Sequence, residues 1–466
     1  MDSRTVDVLV IGAGLSGYCA AIEAARQGAH VLLMEKQAAV GGSTIMSGGS
    51  FAFAGTDEQR DAGLADTAQT LEADLLKVGN HANDAALVRA YAANQADTYR
   101  WLKNIGVHFG TVFVAGGQSV PRSIRAEPAK LMQALGTAAR HTQKVELVLD
   151  CRALRLIRNP ATREVRGARV ARADGVEQTV HARRGVVLAS GGFSRSEELL
   201  ALFAPAQRHA QRMGGAGNAG DGLLMAWALG GGMRDMGFIK GTFGSHPSAT
   251  PETYKPLLAI YRGAIAVNRQ GKRFVNEAIS YKTIGDACLK QDGAMAYQVF
   301  DQGVFDRSEA DVPAFDIRHA YDHDRVARAD TLEALARRIG VDAVALRHTV
   351  EKYNCDAAAG RDTEFGRAGL SNEDFGQLRR IDTPPYYAYP CTSVVLATYC
   401  GLAVDGDMRV LDVFGQPIER LYAAGEVVGG LHGAAYMSGS GNGKAAIFGR
   451  LAGRAAGALP ADDDFT

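Results

Sequence analysis

Neither sign of charge dominates this chain: Lys plus Arg and Asp plus Glu both number 51, so the formal net charge is zero. A nucleic-acid partner draws on a basic face or stripe, and the balance argues against one. A cysteine framework is missing as well. Cys19, Cys151, Cys288, Cys355, Cys391 and Cys400 stand far apart, with no CxxC pair, no zinc spacing and no CxxCH haem site. That usage predicts reduced thiols in a cytoplasmic protein that carries no metal. No apolar run reaches the roughly 18 residues of a membrane span. The opening MDSRTVDVLVIG enters a strand at once, which leaves no room for a secretory leader.

What the chain has in excess is glycine, with 55 residues where average usage is about 7%. Much of it clusters in loops, as tight backbone turns around a ligand require. A chain of 466 residues is too long for one ordinary core, so two domains are expected. Residues 6–11 (VDVLVI) read as a buried parallel strand, 15–27 as a helix ended by Gly28, and 30–36 (HVLLMEK) as a second strand. This is a β-α-β unit. Residues 57–107 read as mainly helical and 145–190 as strands, ending in the short buried GVVLAS. The middle is mixed, with NRQGKRFVNE and the amphipathic DTLEALARRIG. Strand–glycine–helix order returns in ERLYAAGEVVGG and GKAAIFGRLAGRAAGA. The expected layout is a cofactor domain in two segments, 1–237 and 393–466, with a second domain, 238–392, inserted between them.

Gly12-Ala13-Gly14-Leu15-Ser16-Gly17 falls between the first strand and its helix, and Glu35 closes the next strand. Glycines allow a tight turn and close approach to a pyrophosphate, and the helix N-terminus supplies N–H donors. Glu35 is spaced to accept hydrogen bonds from a ribose. Three further segments favour FAD over a nicotinamide cofactor. A second glycine-rich run follows the acid, with Gly41, Gly42, Ser43 and Thr44 and then Ser47, Gly48 and Gly49. The strand LASGGF ends at Ser190 and Gly191, and the strand ending at Glu426 leads into Gly439–Gly443, which opens a helix. Amides at that helix start are suited to negative charge on a reduced flavin.

The chain resembles the flavoproteins of the fumarate reductase and succinate dehydrogenase class, which include the 3-ketosteroid dehydrogenases. The resemblance runs through Gly12–Lys36, Gly41–Gly49, Gly185–Phe193, Ala219–Gly222, Ala266–Glu277 (AVNRQGKRFVNE) and Leu421–Gly453. It implies an α/β protein in which a two-segment, Rossmann-type FAD-binding domain with a parallel sheet carries an inserted α+β capping domain. It also implies FAD held by Glu35, Ser43, Thr44, Gly49, the backbone near Ala153, Asp221, Glu426 and the Gly441–Asn442 loop. Family members with covalent flavin use a histidine near the position of Ser43, so FAD is expected to be non-covalent here.

Fumarate reductases meet a dicarboxylate with cations, and here those slots differ. The arginine expected a few residues after the NRQGKRFVNE segment is replaced by Ala278-Ile279-Ser280-Tyr281, and the one after His432-Gly433-Ala434 by Tyr436. The expected histidine before Gly401 is Ala397; His246 remains, behind a short insertion at 241–245. Ketosteroid dehydrogenases of this class place tyrosine at the same two slots. Making an enone from a saturated ketone requires loss of an α proton and of a hydride from the β carbon. A donor on the carbonyl oxygen stabilises the developing enolate, and a base takes the proton. Tyr436 is the expected donor, Tyr281 the expected base, and Ser438 a relay or a holder of the substrate oxygen. Free tyrosine titrates near about 10, so as a base it needs help from its surroundings.

The resulting expectation is an FAD-dependent dehydrogenase of a cyclic ketone, alicyclic or steroid-like, passing hydride to flavin N5 and electrons to an external acceptor such as a quinone, oxygen or a protein. Chain length leans toward the smaller ring. Two rivals stand beside it. A reductase or dehydrogenase of an unsaturated or tricarboxylic acid would need Arg122, Arg125 or Arg262 as carboxylate anchors. A non-catalytic flavin electron-transfer subunit would need none of these residues. The cations of residues 269–273 are expected to be solvated turn charges.

Overall fold

The computed structural model describes residues 3–239, 241–310, 312–370 and 376–465. The chain divides into two compact units. One comprises Met1–Phe203, Gly214–Ile239 and Ala397–Thr466, and the other Ala204–Met213 and Lys240–Leu396.

The first unit is built on an eight-stranded sheet among the described residues. At its centre Ser3–Ile11 pairs in parallel with Val31–Met34 on one side and Glu177–Leu188 on the other. Val145–Val148 and Pro417–Ala423 extend the parallel run outward. The middle strands read as continuous apolar runs because both faces are covered: Val8, Leu9, Val10, Leu33, Val186 and Val187 are fully buried. GVVLAS is the end of a longer strand, since the polar residues before it pair with Val165–Arg172.

Two helices cover one region of this sheet, Leu15–Arg26 and Ser440–Ala458. Their approach is set by small residues four apart on each. A methyl group on Gly449 would fall 2.4 Å from the Ser16 carbonyl oxygen, one on Gly453 2.1 Å from that of Ala20, and one on Gly457 2.9 Å from Ala24 Cα. The i, i+4 rows of the two helices therefore meet backbone to backbone. This contact brings the start of the C-terminal helix beside the first glycine turn.

The second unit has a six-stranded sheet among the described residues. Tyr386–Val395 pairs antiparallel with Thr242–Ser245, Ala296–Asp301 and Ala327–Ala329. Gln211–Arg212 adds to the same strand in parallel, which draws 204–213 into this unit rather than into the segment ending at 237. The segment 241–245 supplies the strand Thr242–Ser245. One core packs Phe243, Ile284, Phe300 and Tyr389, and another packs Val299, Leu335, Leu346 and Tyr353 under the helices Leu332–Ile339 and Ala343–Ala358.

Arg273 departs from the expectation of a solvated turn. Arg269 and Lys272 are exposed, but Arg273 is buried and clamped by Glu277 (2.7 Å) and Asp362 (2.8 Å). Glu277 also pairs with buried Arg367 at 3.4 Å. A buried guanidinium is tolerable only with such partners, and Asp362 arrives from a distant part of the chain.

Candidate active site

In the first unit the strand Ser3–Ile11 runs straight into the glycine turn. Gly12 has φ +108°, and a Cβ there would fall 2.4 Å from the Ala189 carbonyl oxygen; one at Gly17 would fall 1.8 Å from that of Gly12. Gly14 occupies the N-cap position of Leu15–Arg26 and, having no side chain, leaves that end uncapped by its own residue; a Cβ there would meet only the Gly41 carbonyl at 3.8 Å. Glu35, at the end of the second strand, accepts from the Ala13 amide through Oε2 and from the Gln37 amide through Oε1, both at 3.0 Å. Each carboxylate oxygen retains a lone pair, so Glu35 can brace the turn and still take a ribose hydroxyl.

The second glycine run folds against this turn. Gly42, Ser43 and Thr44 lie in the short helix Gly42–Met46, and Thr44 Oγ1 accepts from the Leu15 amide at 3.4 Å. Ser47 Oγ donates to the Thr44 carbonyl (2.8 Å) and accepts from the Gly49 amide (3.1 Å), bending the chain through Gly48. Asn442 Nδ2 donates to Ser47 Oγ (3.2 Å) and to the Ser50 carbonyl (3.1 Å), tying this run to the C-terminal helix. Gly441 follows Gly439, the N-cap residue of that helix.

Glu426 is the hub of a third group. It accepts from Ser43 Oγ (3.2 Å), Asn218 Nδ2 (3.1 Å) and the Thr398 amide (3.1 Å), and Asn218 also donates to Ser43 (3.0 Å). Burial raises the Glu426 carboxyl above its usual range, the hydrogen bonds offsetting part of that shift. Gly191 packs against Asn218, where a Cβ would fall 2.3 Å from its Oδ1. Asp221 begins the helix Asp221–Trp227 and pairs with Lys36 (2.7 Å) and Arg152 (2.8 Å). Burial alone would raise its carboxyl, but the two cations hold it below the usual range. Ala153, next to Arg152, is buried on the strand Cys151–Arg158.

These residues fit a dinucleotide. Bare glycine turns, a helix N-terminus and a braced acid sit together. Two hydroxyl groups beside them, Ser190 Oγ and Thr398 Oγ1, are buried with no partner among the described residues. A buried hydroxyl without a partner is costly, and the hydroxyls and carbonyls of FAD would supply one. Asn218, Arg152 and Thr398 escaped the sequence reading. Only the flanking Ala219–Gly222 motif pointed toward the first.

Tyr436 and Ser438 lie at the mouth of the C-terminal helix. The Gly441 amide donates to the Tyr436 phenol oxygen at 3.4 Å. Ser438 is held through its backbone, its amide donating to Gly116 (2.9 Å) and its carbonyl accepting from Gln118 Nε2 (3.0 Å). Two rings missed in the sequence pack against Tyr436. Tyr399 stacks on it with centroids 4.5 Å apart, and His432 meets it edge-on at 5.2 Å. Burial, reinforced by the Lys444 charge, keeps His432 neutral, well below its usual titration range.

The second unit holds the remaining candidates. Tyr281 is the first residue of the helix Tyr281–Leu289, capped by the Ser280 side chain. The Lys282 ammonium lies 5.8 Å from its ring centroid and donates to Thr242 Oγ1 at 2.7 Å. A helix N-terminus and an ammonium both favour negative charge at that place. Burial, with Tyr281 as a further cause, pushes the nearby Tyr254 and Tyr261 hydroxyls up, so those two stay protonated. His246 is engaged locally, its Nδ1 accepting from the Ser248 amide at 3.2 Å. Burial, and then Arg325, lowers its titration.

The three arginines able to anchor a carboxylate differ in their commitments. Arg122 is fully buried and paired with Asp66 (2.9 Å) and Asp74 (2.7 Å). Arg262 pairs with Glu309 (2.6 Å) and lies over the Phe315 ring. Arg125, at the end of the short strand Ser123–Arg125, is exposed.

Residues 7–442 match the FAD binding domain family. The chain is 33% identical over 461 residues to a fumarate reductase (cytochrome) of Shewanella frigidimarina, covering 97% of this chain and 77% of that one. It is 28% identical over 540 residues to the 4-oxocyclohexanecarboxylate 2-dehydrogenase of Sinomonas cyclohexanicum, covering 97% and 92%. Among solved structures, the open conformation of a flavocytochrome c3 fumarate reductase superposes with a TM-score of 0.84 at 30% identity, covering 97% of this chain and 78% of that one. The 3-ketosteroid-delta4-(5alpha)-dehydrogenase of Rhodococcus jostii RHA1 gives 0.77 at 26%, covering 97% of both. With its glycine turns, its braced acid and this match along nearly its whole length, the chain belongs to the FAD binding domain family and is an FAD-dependent oxidoreductase of the fumarate reductase kind.

Proposed function

We propose that the protein desaturates a cyclic ketone, alicyclic or steroid-like, to the α,β-unsaturated ketone. The observation that carries this reading is the chemistry of Tyr436. A phenol occupies the helix mouth where the resemblance to fumarate reductases implies a cation. Its oxygen takes a backbone N–H at the positive end of a helix. That donation polarises the O–H toward a carbonyl oxygen that gains charge as the α proton leaves. Tyr281 is the base for that proton, helped by the helix N-terminus and Lys282, and Ser438 is a relay or a holder of the substrate oxygen. Bound FAD supplies the two-electron acceptor. Ser43, Thr44, Glu35, Glu426, Asp221 and Asn442 would hold it without a covalent bond, since Ser43 offers only a hydroxyl already shared with Glu426 and Asn218. Acid precipitation should release free flavin.

The pairing of Arg122 and Arg262 with carboxylates of the chain supports the ketone reading, because it leaves exposed Arg125 as the remaining candidate to anchor a dicarboxylate. The 4-oxocyclohexanecarboxylate 2-dehydrogenase and the ketosteroid dehydrogenase among its relatives agree with it. Reduction of an unsaturated acid is the second reading, favoured by the higher identity to the fumarate reductase. Anaerobic bleaching of the flavin with cyclohexanone, 4-oxocyclohexanecarboxylate, a 3-ketosteroid and succinate decides between them. A ketone should bleach the flavin and yield an enone; bleaching by succinate alone would overturn the proposal. Tyr436→Phe should slow bleaching by about 10²–10³-fold, as loss of one oxyanion donor does. Tyr281→Phe should slow it by about 10²–10⁴-fold, as loss of a general base does.

A further inference from the structure

We propose that Tyr399 is a positioning residue that, together with His432, clamps the ring of Tyr436 in the orientation its hydroxyl requires. The inference rests on the reading of Tyr436 as the donor to the substrate carbonyl. Three observations carry it. The backbone of Tyr399 sits at φ +58°, a left-handed conformation that few bulky residues adopt and that is held only where the surroundings enforce it. Its ring is not filling a core, since Tyr399 is only partly buried, as is Tyr436. And the two rings lie nearly parallel, 28° apart, while His432 stands edge-on to both, 5.3 Å from Tyr399 and 5.2 Å from Tyr436.

The geometry explains why strain is tolerated there. A phenol turns about two side-chain torsions, and a ring stacked on one face with a second ring at its edge removes most of that freedom. The side chain of His432 is buried, with Nδ1 3.4 Å from Ser440 Oγ, and Ser440 Oγ donates to the Met437 carbonyl at 2.6 Å. The edge ring is thus fixed to the same helix start whose Gly441 amide meets the Tyr436 oxygen. Tyr399 covers a face of the Tyr436 ring from a separate stretch of chain, next to the strand Gly401–Leu402.

The test separates the ring of Tyr399 from its hydroxyl. Tyr399→Phe keeps the stack. Tyr399→Asn removes it, and asparagine is at ease at positive φ, so the turn is not stressed. FAD-loaded protein labelled with 3-fluorotyrosine reports Tyr436 directly by fluorine NMR, its line being the one absent from Tyr436→Phe. That line should shift and broaden in Tyr399→Asn and stay in place in Tyr399→Phe. With a bleaching ketone, Tyr399→Asn should lower kcat about tenfold, the upper range for loss of one aromatic pair, with KM little changed. Tyr399→Phe should stay within about twofold of wild type. An unmoved Tyr436 line in Tyr399→Asn would overturn the inference, and so would a Tyr399→Phe as slow as Tyr399→Asn. If no ketone bleaches the flavin while the Tyr436 line moves in Tyr399→Asn, the ketone reading falls and the clamp stands.

Discussion

At the scale of single residues, the first unit pays for its cofactor cradle with a buried cation. Lys444 is 2% exposed and donates to the Val428 carbonyl, with Asp235 and Glu426 as its acidic surroundings and His432 and Cys400 also near. Burial lowers its titration to about 8, from 10.5, although the acids oppose the shift. A lysine lowered in this way binds fewer protons folded than unfolded between those two values. Stability contributed by this group therefore rises with pH through that window, and the full cost of the buried charge applies below it. The stability of wild type relative to Lys444→Met, from denaturant midpoints, should be flat between about pH 6 and 7.5 and should climb between about pH 8 and 10. A flat difference across the whole range would show that Lys444 is not buried as a charge. The glycine turn could be read in advance because spacing alone reports it, whereas nothing in GNGKAA tells a reader that its lysine points inward.

At the scale of elements, the strand–turn–helix from Ser3 to Arg26 and the helix Ser440–Ala458 form one device. The glycine turn presents amides, and the second helix brings the 439–442 loop beside it. Because Gly17 closes on the Gly12 carbonyl, Gly17→Ala should destabilise the first unit by about 1–3 kcal/mol, the usual range for overpacking, and should strip flavin from the purified protein. The flavin-to-protein absorbance ratio and a thermal melt check both. Glu35→Gln keeps the size of the side chain but weakens its hold on the Ala13 amide and a ribose; FAD affinity should fall about tenfold or more, since hydrogen bonds to charged groups carry about 1.5–3 kcal/mol. Unchanged FAD titration in Glu35→Gln would remove that residue from the site. The glycines at 449, 453 and 457 were visible in the sequence as composition only. Their purpose appears once Ser16, Ala20 and Ala24 are seen against them.

At the scale of the whole molecule, each unit is organised around buried charge as well as around apolar cores. In the second unit Arg273, Glu277, Asp362 and Arg367 form a network whose side chains are all fully buried. Removing one partner leaves a charge uncompensated, so Asp362→Ala should cost about 3–5 kcal/mol. The Asp362 carboxyl is held at about 2: burial opposes that shift, and the Arg273 hydrogen bonds and charge, with backbone amides, outweigh it. Its folded value lies below its unfolded one, so this stabilisation is present above about pH 4 and is lost as pH falls through about 2. Acid unfolding followed by circular dichroism should show a shallower dependence in Asp362→Asn over that window. Among the described residues no helix is long and apolar enough to cross a membrane.

The sequence by itself determined the β-α-β start, the FAD-type glycine turns and the acid Glu35 after the second strand, because each of these is a pattern of neighbours along the chain. Tyr281 and Tyr436 are singled out by family resemblance and stay part of the proposal. Hydrophobic period, glycine spacing and the position of one acid after a strand are local quantities. Tertiary structure decided what those patterns meet. It placed Asn218 and Thr398 on Glu426, Asp362 on Arg273, and Tyr399 and His432 on Tyr436. Apart from His432 and Tyr436, which are four residues apart, none of these pairings has a spacing to read, since each joins segments brought together only by the packing of sheet and helices. A charge in a turn or a tyrosine after a strand looks the same in sequence whether solvent or a partner covers it, and burial is a property of the fold.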